Sequence, residues 1–236
     1  MDDRYTRAVA TPGMPARVGW FITIEGPDGA GKTTQAERLA GALRDRGHDV
    51  LSTREPGGTW LGERIREVIL ARGHERDGSP APIDPLTDAL LFSAARRQLV
   101  EAVLRPALAA GRTVICARYV DSTIAYQGYG AGVPLEALRQ LEAVATGGLL
   151  PDVTVLLDLP VEAGLSRKEP DDLTRFEEEF DVAFHRRVRE GFRSIAAAEP
   201  DRFVVVDATA PEADVADSIL EALVGEPKDA RVRINP

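Results

Sequence analysis

Residues 26–33 read Gly26-Pro27-Asp28-Gly29-Ala30-Gly31-Lys32-Thr33, a match to G-x-x-x-x-G-K-[S/T], with Thr34 following. Glycines at these positions let a backbone curl until its N–H groups converge, and a helix starting at the lysine adds partial positive charge. Such a cradle holds the phosphates of a nucleotide: Lys32 is suited to the β- and γ-phosphates, and the Thr33 hydroxyl to Mg²⁺. The apolar run "WFITIE" before the motif and the helical pattern after it are the setting in which the match is specific rather than a chance glycine-rich turn. Asp28 sits oddly here, because a carboxylate beside a phosphate cradle repels the donor unless it faces elsewhere. Two readings of it stand, a solvated turn-forming aspartate or a partner for a hydroxyl of a second substrate.

Three further stretches carry chemistry: "TREPGGTWLG" (53–62), "LLFSAARRQLV" (90–100) and "CARYVDSTIAYQGYG" (116–130). The first and third follow apolar strand candidates, and strand ends in a parallel α/β sheet converge on one crevice. Arg54, Arg96, Arg97 and Arg118 are therefore expected beside the phosphate loop, with Phe92, Tyr126 and Gln127. Arginines suit bidentate contact with phosphate, and an aromatic ring with an amide suits a stacked, hydrogen-bonded base. Taken singly, Phe92 reads as core and the arginines as surface. Taken together they describe a site for a second phosphorylated substrate.

The elements that must position these groups alternate along the chain. Strands are expected at 20–25, 49–53, 113–117, 153–159 and 203–207, as near-continuous apolar runs that suit parallel strands buried on both faces. Helices are expected at 33–46, 61–72, 86–110, 134–146, 176–198 and 211–224. The β-α-β-α order implies an α/β layered fold with right-handed crossovers. The expected organisation is a flexible leader (1–19), one catalytic domain (20–224) and a loose tail (225–236).

Composition narrows the function. The 236 residues suit one domain with a sizeable core. The net charge of −9 argues against nucleic-acid binding through a global field, so an anionic substrate needs a local positive pocket. No apolar run approaches transmembrane length, so no membrane partner is expected. The single cysteine, Cys116, permits no intrachain disulfide; a buried strand thiol in a reducing, cytoplasmic compartment is the expectation.

These motifs, "FITIEGPDGAGKTTQ", "TREPGGT", "FSAARRQLV", "RYVDSTIAYQGYG" and "GGLLPDVTVLLDL", resemble those of the thymidylate kinase family over about residues 20–224. Gly29 in the phosphate loop resembles the bacterial subtype, which draws its catalytic basic residues from a lid. The resemblance implies a three-layer P-loop fold, a five-stranded parallel sheet flanked by helices with a short lid at about 167–175. It implies phosphoryl transfer from ATP to dTMP with Mg²⁺, and a homodimer packed through helices. By the same resemblance, Gly26 to Thr34 bind ATP and Thr33 the metal. Lys32, Arg118 and Arg167 are the implied catalytic cations. Asp28 would meet the sugar 3′-hydroxyl, and Phe92 would stack on thymine. Arg96 would bind the base edge, Arg118 the acceptor phosphate, and Thr123 and Gln127 the thymine edge. Tyr126 would exclude a 2′-hydroxyl. Glu55 and Pro56 would form the turn lining the acceptor site, where the family often has a cis peptide.

The chain departs from that pattern twice. Ala117 stands where an aspartate is usual, and an alanine cannot accept a hydrogen bond from metal-bound water; one lost electrostatic contact of this kind is worth about a hundredfold in rate. Asp158, at the end of the next strand, is a candidate to compensate. The lid reads "SRKEPDDLTRFEEEF", with Arg167, Lys168 and Arg175 but an acidic middle at Glu169, Asp171 and Asp172. Other readings therefore stand beside dTMP kinase: a kinase of a modified pyrimidine deoxynucleotide, a weakened nucleotide-binding homologue, and an ATPase that drives motion or assembly.

Overall fold

The computed structural model describes residues 19–71, 73, 74, 76, 77, 79, 81–168, 174, 176 and 180–224. The expected leader up to residue 18, the expected tail and the middle of the expected lid, with Glu169, Asp171, Asp172 and Arg175, lie outside the described residues. Five strands form where the apolar runs predict them: β1 (Phe21–Glu25), β2 (Val50–Arg54), β3 (Thr113–Ala117), β4 (Val153–Asp158) and β5 (Phe203–Asp207). They make one parallel sheet in the order β2-β3-β1-β4-β5.

Although the strands are mostly apolar, each still alternates its side chains between two layers. From β1, Ile22 and Ile24 face one cluster, built with Leu39 and Leu43 of α1 (Lys32–Asp45) and Ile219 and Leu223 of α9 (Glu212–Val224). Phe21 faces the other, with Leu99, Leu104 and Leu108. Glu25 shares the face of Phe21. The central strand thus runs from a packed core straight into the phosphate loop.

Helix starts follow the capping residues in the sequence. Thr59 caps α2 (Trp60–Leu70) by accepting from Gly62 N, and Asp84 caps α3 (Pro85–Leu99), with Pro85 in its first turn. The expected single helix over 86–110 is three segments: α3, a wider π turn at Val100–Leu104, and α4 (Arg105–Ala109). Pro106 explains the change, since it cannot donate to the preceding turn and its ring needs room there. After β3 come α5 (Val120–Thr123) and a π segment, Ile124–Gly130, where no helix was expected. Then follow α6 (Leu135–Thr146) and α7 (Val161–Leu165), the latter also unexpected. The later part of the helix expected over 176–198 is α8 (Val182–Ala198), whose start Asp181 caps by accepting from Phe184 N.

Candidate active site

The phosphate loop leaves β1 at Gly26 and enters α1 through Gly31, which takes a left-handed conformation, φ +83°. Gly29 also has positive φ, and a side chain there would drive into the Gly164 carbonyl of α7. Only glycine fits that contact, which brings α7 against the loop. Lys32 Nζ donates to the carbonyls of Gly26 and Pro27, at 2.9 and 2.7 Å. Burial and the neighbouring Arg118 bring its ammonium down to about 7, with Asp28 and Glu25 pulling the other way.

Two cavities meet at this loop. The larger, about 1060 Å³, is lined by Asp28 to Gln35, Arg54, Glu55, Ala117 and Arg167, and on its far side by Ala208 to Glu212 and Val215. The smaller, about 140 Å³, is lined by Pro56, Phe92, Thr123, Tyr126, Gln127 and Phe176, among others. Asp28, Arg66, Arg118, Lys168 and Thr174 line both. The common wall thus carries three cations and one carboxylate. Arg118 Nη2 donates to Asp28 Oδ1 at 2.5 Å, and its guanidinium lies 5.1 Å from the centre of the Tyr126 ring. Burial opposes the charge on Asp28, but Arg118, Lys32 and Lys168 outweigh it and hold the carboxyl well below the usual range. The −9 protein has concentrated positive charge at one place, as an anionic substrate requires.

Most residues singled out in the sequence border one cavity or the other. Gly26 and Pro27 line neither; their carbonyls hold Lys32. Phe92 is half-buried, with its ring tilted against Phe176, so it is part of both core and wall. Gln127 donates to Asp88 at 3.1 Å. The Glu55–Pro56 bond is cis. Arg167 of the lid reaches the Gly29 carbonyl at 3.5 Å.

Arg96 and Arg97 stand elsewhere. Arg96 is fully buried and lines neither cavity; its guanidinium meets Glu55, Glu142, Thr123 and the Tyr119 carbonyl. It sits behind the wall of the smaller cavity rather than in it. Arg97 is exposed and pairs with Glu101. Adjacent residues on a helix point about 100° apart, so only one of the two turns inward.

Sequence reasoning overlooked Arg66, Lys168 as a wall residue, Phe176 and the Ala208–Val215 rim. Arg66 is half-buried on α2 and donates to the Pro56 carbonyl at 3.2 Å. The rim carried a legible signal: "DATAPE" follows the last strand on the side of the sheet where ligands bind.

The thymidylate kinase family model matches residues 24–219. A thymidylate kinase of Deinococcus radiodurans is 54% identical over 209 residues, covering 87% of this chain and 96% of that protein. One from Thermomicrobium roseum is 52% identical over 204 residues, covering 86% and 93%. The crystal structure of thymidylate kinase from Ehrlichia chaffeensis superposes with a TM-score of 0.68 at 34% identity, over 86% of this chain and 97% of that one. This chain belongs to the thymidylate kinase family. Its three-layer fold with a five-stranded parallel sheet is the one expected of that family, and the family is one of ATP-using nucleoside monophosphate kinases. Nothing in these matches supports the readings as an ATPase, a kinase of a modified nucleotide or a binding-only homologue.

Within this family member, the donor set can be tested against Mg²⁺. No group of three or more His, Cys, Asp or Glu among the described residues forms a protein-only metal cage. Mg²⁺ in phosphoryl-transfer sites keeps several waters and takes one or two protein ligands besides the substrate phosphates. The exposed Thr33 hydroxyl in the larger cavity fits that role. Ala117 lines the same cavity and offers no acceptor. Asp158 does not compensate: it lines neither cavity, and Arg189 holds both its oxygens, at 2.7 and 2.9 Å.

Proposed function

We propose that the two adjoining cavities are the donor and acceptor sites of one reaction, the transfer of the γ-phosphoryl group of ATP to dTMP, giving dTDP and ADP. The chain is a nucleoside monophosphate kinase by family. The observation that carries the site assignment is the shared wall, where Arg118, Arg66 and Lys168 border both spaces. A phosphoryl group crossing between two phosphates needs positive charge at the crossing, and little else from the protein besides alignment.

On this reading the loop amides and Lys32 bind the donor phosphates, Thr33 holds Mg²⁺, and the Ala208–Val215 rim takes the adenosine end. When bound, the metal draws charge from the β- and γ-oxygens. Arg118 holds the acceptor phosphate and Asp28 fixes Arg118, leaving the outer edge of the carboxylate toward the sugar. Phe92 stacks on the thymine, Tyr126 stands at the 2′ side of the sugar, and Gln127 and Thr123 meet the base edge. Arg167 adds charge from the lid side. No general base is needed, because the acceptor is already a phosphate oxygen.

Three wider assignments accompany this one. Residues 20–224 form one catalytic domain. The enzyme is cytoplasmic, which suits its one fully buried thiol, Cys116; no helix among the described residues is long and apolar enough to cross a membrane. It works as a homodimer: Trp60 and Val68 on α2, Leu86 and Leu90 on α3 and Val144 on α6 are all exposed, on helices that pack side by side. Light scattering on the purified protein checks the dimer.

The deciding experiment follows ADP formation from MgATP with dTMP, dUMP, dCMP, dGMP, UMP or no acceptor, for the wild type and for Ala117→Asp. Strong preference for dTMP is expected in both. Equal ADP release without an acceptor would overturn the two-site reading.

A further inference from the structure

Glu25 is the least expected residue in the sheet. It ends the central strand, after Phe21, Ile22, Thr23 and Ile24, and is fully buried. Burial and the nearby Asp121 raise its carboxyl to about 7, despite the opposing influence of Ser122, Arg118 and Tyr119. Burying a carboxyl group is unfavourable unless its oxygens are hydrogen-bonded or paired.

Its partners show what depends on it. Glu25 Oε1 accepts from the backbone N–H groups of Tyr119 and Ser122, at 2.7 and 3.3 Å, and Oε2 accepts from the Ser122 hydroxyl at 2.6 Å. These donors belong to the first turn of the helical segment after β3. Tyr119 heads that segment and supplies no side-chain cap of its own. Glu25 therefore caps it from another strand.

The residue just before this capped turn is Arg118. Its φ is +70°, the only positive value at a non-glycine among the described residues. For an L-residue that conformation is unfavourable and persists only when the surroundings enforce it. Here the enforcement comes from two consecutive residues of β1. The Ile24 carbonyl accepts from Arg118 N at 3.0 Å, and Glu25 holds the next backbone N–H. The following residue of β1 is Gly26, where the phosphate loop begins. The backbone that aims Arg118 and the backbone that cradles the donor thus share one strand end.

We propose that Glu25 is a positioning residue that fixes Arg118 in register with the phosphate loop, and so sets where the acceptor phosphate lies relative to the donor. The inference rests on Arg118 being the ligand of the acceptor phosphate. What matters in Glu25 is reach, one acceptor oxygen for the Tyr119 and Ser122 amides, and a second hydrogen-bonding atom at the Ser122 hydroxyl, which can donate or accept, rather than its charge. Glutamine keeps the reach and one acceptor while losing the charge. Aspartate keeps the charge but is one methylene too short to hold both Tyr119 N and Ser122 Oγ.

The test compares Glu25→Gln, Glu25→Asp, Glu25→Ala and Arg118→Ala by steady-state kinetics in both substrates, with thermal melts alongside. Misplacement of a reacting group by about 1 Å is worth up to a hundredfold. Glu25→Asp and Glu25→Ala should therefore raise KM for dTMP and lower kcat, together by about ten- to a hundredfold in kcat/KM, with KM for ATP changed less than about threefold. Glu25→Gln should stay within about threefold of wild type in both substrates. If Glu25→Asp matches wild type while Glu25→Gln fails, charge rather than reach is the requirement and the proposal is wrong. If the folded variants differ only in melting temperature, Glu25 is scaffold alone and the proposal is again wrong. The Gln and Asp forms decide the matter even if Glu25→Ala does not fold. Arg118→Ala separates the two levels: were it to leave dTMP kinetics intact, the acceptor-site reading itself would fall.

Discussion

Two arginine-centred clusters stand close together in this molecule and differ in one respect. Arg96, with Glu55 and Glu142, is closed: the three side chains are 1%, 3% and 6% exposed, and the arginine touches no cavity. Arg118, with Asp28, is open: its side chain is 23% exposed and borders both cavities. The chemistry of the pairs is the same, guanidinium to carboxylate. In the closed cluster every guanidinium nitrogen is occupied by protein. In the open one, part of the guanidinium faces space that a phosphate can enter. The lesson is that an arginine's type and neighbourhood do not separate scaffold from site; the partners left over for a ligand do.

The largest effect should come from opening this contrast at Arg118. Arg118→Ala should reduce turnover roughly 10³-fold, by analogy with other charge-stabilising groups in phosphoryl transfer, and cost less stability than the loss of Arg96, because it strands one carboxylate, Asp28, which Lys32 and Lys168 still face. Arg96→Leu should do the reverse. It strands two buried carboxylates, so stability should fall by about 3–5 kcal/mol, read from urea unfolding, while the folded fraction keeps kcat within about tenfold. A large kcat defect in stable, folded Arg96→Leu would erase the distinction between the clusters.

The clusters should also differ in pH linkage, with opposite signs. Asp28 is held below its ordinary range, so its contribution to stability is present above about pH 4 and is lost only as pH falls through its lower folded value. Glu55 is raised to about 7, chiefly by burial with Arg96 opposing, so the stability linked to its neutral form is full below its ordinary value and fades as pH rises through about 7. The melting temperature of the wild type minus that of Asp28→Asn should therefore stay flat between pH 5 and 8, in melts across that interval. The same difference against Glu55→Gln should decline. Parallel curves would mean that Arg96 keeps Glu55 charged throughout. The smallest effect belongs to Arg97→Ala, an exposed pair: less than about 0.5 kcal/mol and unaltered kinetics.

The sheet was legible because its strands are short apolar runs bounded by polar loops, and each strand end falls within a residue of the sequence expectation. The phosphate loop was legible because its glycines answer a local backbone need. Arg118 and Asp28 could be singled out from their setting, although not their contact. Arg96 and Arg97 were not separable, since both fit the helix and only its rotation toward α6 and the turn after β2 buries one of them. Arg66 sits on a helix whose exposed positions also carry arginine, so its inward turn has no signal in the pattern. Glu25 was hidden for a different reason: it reads as the polar end of a strand, and the groups that need it lie more than ninety residues away along the chain.

The single cysteine has a consequence of a different kind. Cys116 lies in β3, fully buried, with its Sγ donating to the Arg118 carbonyl at 3.1 Å, and burial pushes its thiol well above the usual value. An alkylating reagent therefore has no target until the middle of the sheet comes apart. Labelling of this one sulfur counts whole-sheet openings, not loop breathing, and requires no engineered probe. A nucleotide that binds only the closed form should slow the labelling by the factor 1 + [L]/Kd. Occupancy of either cavity can thus be read as a clock rate from the core, with either substrate added alone and no turnover taking place.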